Sequence, residues 1–262
     1  MSRIAWHPMN SCNFILDRSV LTVMVGCGTP EKCTTTWSVL EHPEGVVVID
    51  TGVNKAAITD VAGAWGTAED RVGVPLMEPG WDLPSRLVGY GIDPKDVRYV
   101  INTHLHGDHV GGQLDCPNAT FICQQDEYDF AQDPDIPSMV REYPLPDLAF
   151  DTLNYTPIEG DLDLFGDGVV TLLKTRGHTP GHQSVLLRLP DTGPVILTGD
   201  AIWTHWNLDE MMVAGIIWYV SEYVKSRRRL LRLQEETGAR WFHTHDPATF
   251  TDLGWIEGGT YT

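Results

Sequence analysis

The segment Thr103-His104-Leu105-His106-Gly107-Asp108-His109 places three imidazoles and a carboxylate directly after the apolar run Val97 to Ile101. A short β-branched run followed at once by ligating side chains is a strand that ends in a functional turn, and it confines the chain to folds whose sites lie along a strand rim. Neutral imidazole and carboxylate are the ligands that suit zinc and its neighbours. A strand end that bends into a helix can aim His104 and His106 at one point and Asp108 and His109 at a second one nearby. The bland reading is a polar loop with incidental histidines. In a chain holding only 10 His, their crowding beside an aspartate argues against it.

Each of the two half-sites lacks ligands, and three further segments repeat the layout of strand and then ligand. Val169 to Leu173 runs into Gly177-His178-Thr179-Pro180-Gly181-His182; Pro194 to Thr198 runs into Gly199-Asp200; Trp241-Phe242 runs into His243-Thr244-His245-Asp246. His182 stands four residues after His178, which suits an orienting role in that loop. Asp50, between a strand and Thr51-Gly52, suits a turn that hydrogen-bonds its own backbone and supports the site without touching metal.

With these motifs in hand, the sequence resembles the metallo-β-lactamase superfamily and, within it, the N-acyl-homoserine lactone lactonases. The likeness spans nearly the whole chain, from Val46-Val47-Val48-Ile49-Asp50-Thr51-Gly52 through the approach at Asp93 to His109 and on to Gly177-His178-Thr179-Pro180-Gly181-His182-Gln183-Ser184. The resemblance implies an α/β fold of the αββα sandwich type, two sheets face to face with helices outside. It implies two divalent metal ions, zinc first, with His104, His106 and His178 on one, Asp108, His109 and His245 on the other, and Asp200 between them. His243 falls where such proteins carry an aromatic or apolar residue and is assigned to packing.

The implied reaction is hydrolysis of a lactone, with solvent hydroxide held between the ions as nucleophile and Asp108 as the catalytic group that holds it and shuttles its proton. No G-x-S-x-G elbow competes for the nucleophile's role, and His106 stands where redox relatives carry glutamate. The lactonases place a tyrosine three residues after the bridging aspartate; here that position is Trp203, whose indole donates a hydrogen bond but gives up no proton usefully. Trp203, His205, Met212, Ile216 and Trp218 are therefore the expected substrate contacts, the last three within the apolar stretch Met211 to Trp218 at the pocket mouth. An aromatic-fused lactone such as 4-pyridoxolactone and a glyoxalase-type thioester are the alternative substrates. A metal-bound scaffold or sensor is the alternative outside catalysis, and a degenerate chain of that kind would be expected to lack a ligand.

Composition removes other classes. A net charge of −18 and a pI near 4.7 repel phosphate backbones and anionic membranes, so nucleic acid and membrane are not expected partners. The partner is a small-molecule lactone, with a homodimer as the assembly to test. The ligand segments run from 104 to 245, so residues 1–262 read as a single hydrolase domain. Five cysteines without C-x-x-C spacing, and an N-terminus Met1 to His7 without an apolar core, point to the cytoplasm. Helices are expected near Ser85 to Gly91 and Ser221 to Glu236, the second stopped by Gly238. Its basic run Lys225 to Arg229, with Arg232, is expected as a solvated face.

Overall fold

A computed structural model describes residues 4–67, 71–135, 145–209 and 212–262. The first sheet has the order β1 (Ala5–Asp17), β2 (Pro30–His42), β3 (Gly45–Ile49), β4 (Val97–Ile101), β5 (Thr120–Ile122) and β6 (Asn154–Tyr155). Its first three strands form an antiparallel meander, and β3 to β6 run parallel. In the second sheet β7 (Leu162–Asp163), β8 (Val170–Lys174), β9 (Gln183–Leu189) and β10 (Gly193–Leu197) are antiparallel neighbours, and β11 (Arg240–Phe242) pairs parallel with β10.

The near-continuous apolar runs follow from burial on both faces of the sheets. Side chains alternate across a strand, so Val47 and Ile49 join Val185, Leu187, Val195 and Leu197 in the core between the sheets. Val48 and Val100 point the other way, onto Leu83 and Leu87 of the helix Leu83–Gly89. Leu186 and Ile196 likewise turn outward, against Leu230 of the helix Val220–Thr237. Helix, sheet, sheet, helix is the layering expected of the αββα sandwich.

The helix boundaries differ from the sequence reading by one turn or less. Asp82 caps the first helix by accepting from Ser85 N, with Pro84 in its opening turn, so it starts earlier than Ser85 and ends at Gly89. Gly238, at φ 68°, closes the second as expected. The basic run on that helix needs a correction. Arg227 is 1% exposed, and its Nη1 donates to the carbonyls of Asn207, Asp209 and Met212. A planar guanidinium satisfies several loop carbonyls at once, so this residue clamps the segment after Asp200 and is not solvated. Among the described residues no helix is long and apolar enough to cross a membrane. Met1 to Arg3, and Met211, lie outside the described residues.

Candidate metal centre and substrate cleft

The parallel relation of β3, β4 and β5, and of β8, β10 and β11, puts the carboxyl ends of both sets of strands on one rim. Asp50 follows β3, His104 follows β4, Asp200 follows β10 and His245 follows β11. Two glycines let these turns close. A Cβ on Gly111 would meet Asn54 N at 2.0 Å, so only glycine allows the turn after His109 to pack on the loop beyond Asp50. Gly199, at φ +52°, has His182 Nε2 only 2.7 Å from where its Cβ would be.

His104 Nε2, His106 Nδ1 and His178 Nε2 lie 3.0, 3.0 and 3.2 Å apart. Their other nitrogens fix which ones are bare. His178 Nδ1 donates to Ile216 O at 2.9 Å, and His104 Nδ1 faces the hydroxyl of Thr103 at 3.1 Å, which itself donates to Asp50. The inward nitrogens of His104 and His178 therefore present lone pairs to each other and cannot bond one another. A tetrahedral zinc with Zn–N of about 2.0–2.1 Å sets its nitrogens roughly 3.3 Å apart, so the triangle fits one cation.

The second cluster adjoins the first. Asp200 Oδ2 is 3.3 Å from His178 Nε2 and 3.2 Å from His245 Nε2, while its Oδ1 is 3.5 Å from His109 Nε2. Asp108 Oδ2 lies 3.6 Å from both His109 Nε2 and His245 Nε2. His109 Nε2 and Asp200 Oδ1 are buried without a hydrogen-bond partner, which is costly unless a cation sits between them. His109 donates its Nδ1–H to Asp50 at 2.9 Å, and His245 donates its own to Thr34 O at 2.9 Å. Both arrangements leave Nε2 facing the cluster, the pattern of a supported metal ligand.

Electrostatics divide the imidazoles. Burial holds His104 and His106 well below the ordinary range, reinforced by neighbouring histidines, and lowers His178 as well. Burial pulls His109 the same way, but Asp108, Asp50 and Asp200 outweigh it and hold the ring at about 10. His245 is raised too, chiefly by Asp200 acting against burial. Asp200 itself is raised by burial and carried below the usual carboxylate range by His245, His109 and His178.

Supporting residues tie these ligands together. His182 accepts from Asp200 N at 2.8 Å and donates to Thr175 O, so both ring nitrogens are used and it positions the Asp200 backbone. His243 is buried, with its Nδ1 toward Ile202 O, and stands outside the cluster. Asp50 corrects the sequence reading. Its carboxylate takes Thr103 N–H and the Thr103 hydroxyl as well as His109, and it does not bond its own turn.

Glu127 escaped that reading altogether. Fully buried at the start of the helix Gln125–Gln132, it accepts from Leu105 N, Thr179 Oγ1 and Gly181 N, stapling the two ligand loops together. Its place just after β5 was the available signal. Glu127→Ala leaves those donors unsatisfied and is expected to cost roughly 2–4 kcal/mol of stability and to weaken metal retention. Denaturant melts read beside a metal titration check this; an unchanged midpoint would show that the staple holds nothing.

Above the cluster opens a cleft lined by Phe14, Leu16, Val20, Trp65, Arg71, Val72, Gly73, Trp203 and Ile216, with His106, Asp108, His178, Asp200 and His245 in its floor. Of the expected substrate contacts, Trp203 and Ile216 line it. Trp203 is 4% exposed, its ring 5.4 Å from that of His178 and 4.8 Å from that of His245, and its Nε1 has no partner among the described residues. The other three stand outside its lining among the described residues. His205 turns its Nδ1 to Asp246 at 2.7 Å, Met212 serves through its carbonyl to Arg227, and Trp218 is 49% exposed against Tyr219. The wall from β1, Trp65 and residues 71–73 was missed because it carries no ligand signal.

A two-sheet sandwich with this rim of imidazoles and carboxylates corresponds to a known class: the sequence profile of the metallo-beta-lactamase superfamily matches residues 30–237, and the chain belongs to that superfamily. Within it the chain groups with the N-acyl homoserine lactonases. It is 37% identical over 228 residues to N-acyl homoserine lactonase AttM of Azorhizobium caulinodans, 85% of each chain, and 38% identical over 216 residues to an N-acyl homoserine lactonase of a Bacillus species, 82% of each chain. Among solved structures, an N-acyl homoserine lactone hydrolase with N-hexanoyl-L-homoserine bound at its catalytic metal centre superposes with a TM-score of 0.83 at 28% identity, over 94% of this chain and 95% of that one. A quorum-quenching N-acyl homoserine lactone hydrolase gives 0.85 at 26% identity, over 100% and 99%.

Proposed function

We propose that this protein opens the ring of N-acyl-homoserine lactones by hydrolysis and so quenches quorum signals. The observation that carries the reading is the pair of abutting imidazole and carboxylate clusters, with bare nitrogens and an orphaned carboxylate oxygen, in the floor of an apolar cleft. Two divalent ions, zinc in first place, would be held by His104, His106 and His178 and by Asp108, His109 and His245, with Asp200 shared; when bound, they supply a water of lowered pKa and an electrophile for the ester carbonyl.

The chain's own groups complete the site. Asp108, whose side chain keeps 15% exposure at the cleft floor, holds the attacking water and takes its proton. Trp203 closes the reacting end, and Phe14, Leu16, Val20 and Ile216 shelter the acyl chain from solvent. Both sheets contribute ligands, which supports one domain over 1–262. The cysteines stand free, all but Cys27 buried, which supports a cytoplasmic setting, and the exposed run Trp218-Tyr219-Val220 supports a homodimer.

Acid release at fixed pH from N-hexanoyl-homoserine lactone, 4-pyridoxolactone and a glutathione thioester tests the assignment. The homoserine lactone is expected to be the best substrate by kcat/KM. Cleavage of the thioester alone would overturn the lactonase reading, and cleavage of neither lactone would favour the scaffold.

A further inference from the structure

Among the described residues of the cleft lining, Arg71 is the one basic side chain that is not an imidazole, and nothing above assigns it a role. It is half-buried and fixed at its near end. Its backbone N–H donates to Thr67 O at 3.1 Å, its Nε donates to Trp65 O at 2.9 Å, and its guanidinium carbon lies 5.6 Å from the centre of the Trp65 ring. The terminal nitrogens Nη1 and Nη2 make no hydrogen bond or ion pair among the described residues. The carboxylates of the lining, Asp108 and Asp200, belong to the metal cluster. A held cationic fork without an acceptor among the described residues, in a cleft walled by apolar groups, is a preorganised donor for a ligand.

We propose that Arg71 is a specificity-determining residue that holds the amide oxygen on the acyl side of the substrate. This rests on the lactonase reading above. An acyl-homoserine lactone carries its ester carbonyl and ring oxygen at the reacting end, which would lie at the imidazole and carboxylate clusters beside the indole N–H of Trp203, packed on His178 and His245 and unpaired among the described residues. Its remaining strong acceptor is the amide carbonyl. Arg71 stands on Trp65, which packs on Phe14 at 5.6 Å and so belongs to the apolar wall beside the acyl chain. A site built to bond a polar group rejects the analogue lacking it, because its own donor is then buried and unpaired.

The test compares N-hexanoyl-homoserine lactone with α-hexyl-γ-butyrolactone, which keeps the ring and the substituted carbon but has no amide. Arg71→Met is expected to lower kcat/KM on the first by roughly 10–100-fold, chiefly through KM, and to change the second by less than about threefold. Arg71→Lys, which keeps one donor, is expected to recover part of the loss. Equal losses on both lactones, or none on either, would overturn the proposal while leaving the lactonase reading intact. Wild-type protein that opens neither lactone overturns that reading, and the proposal with it.

Discussion

Asp108→Asn and Asp200→Asn each lower lactone turnover on the order of 10²–10⁴-fold or more, while the variants stay folded. Asp108 Oδ2 stands 3.6 Å from the inward nitrogens of His109 and His245, so the amide substitution removes both an anionic ligand and the base that takes the water's proton. Asp200 faces His178, His245 and His109 with both oxygens. Its loss therefore affects both clusters at once. His182→Ala is expected to be milder, roughly 10–100-fold, because that ring positions the Asp200 backbone and no cation. Steady-state kinetics beside elemental analysis separate the two effects. A His182→Ala protein emptied of metal, set beside a His178→Ala protein that keeps it, would reverse the roles given to these histidines.

Metal uptake by the stripped protein releases protons and tightens as the pH rises. His109 at about 10 is protonated at neutral pH when no cation but a proton answers Asp108, Asp50 and Asp200, and His245 is raised in the same sense. A ligand nitrogen has to be bare, so uptake expels those protons, and each one released makes the apparent affinity climb about tenfold per pH unit below the ligand's own value. His104, His106 and His178 lie low and contribute none. Calorimetric titration in buffers of different ionisation enthalpy measures the release directly, with about one proton or more expected at pH 7. Uptake with no proton exchange would refute this account of the second cluster.

The low-lying rings of His104, His106 and His178, and that of His182, weaken the stripped protein in acid. Their pKa values are depressed on folding, so their contribution is complete above the unfolded value near 6.5 and is lost as the pH falls, for His182 down to about 3.

What the sequence could reveal was governed by locality. The ligand turns are legible because each is a few residues long and follows its own apolar strand. β3 and β10 are legible because burial on both sides leaves uninterrupted apolar runs. β1 is not. Asn10, Ser11 and Cys12 are as buried as Met9 and Phe14, since this strand lies under the site and its polar groups meet other loops, for instance Ser11 Oγ accepting from Val53 N. No period of two or of 3.6 survives that. Arg227 and Glu127 look like ordinary surface charges in sequence. Their partners, the carbonyls of residues 207–212 and the two ligand loops, are chosen only by tertiary packing. Which side chains of the stretch Met211 to Trp218 face inward was not legible for a related reason, because a hydrophobic loop has no register that says so.

The cleft and its floor are drawn from different parts of the chain. The ligands sit at strand ends locked by Asp50, Glu127, His182 and Gly111, where almost any change is felt by several partners. The walls come from the far half of β1, from Trp65, from residues 71–73 and from Ile216, and Ile216 meets His178 through its main-chain carbonyl. Substitutions in the walls can thus alter which lactone fits without disturbing the groups that cut it. Descendants of this chain are free to drift between acyl lengths, or between ring types, by point changes in the upholstery alone, and a laboratory selection for a new lactone should find its first improvements there.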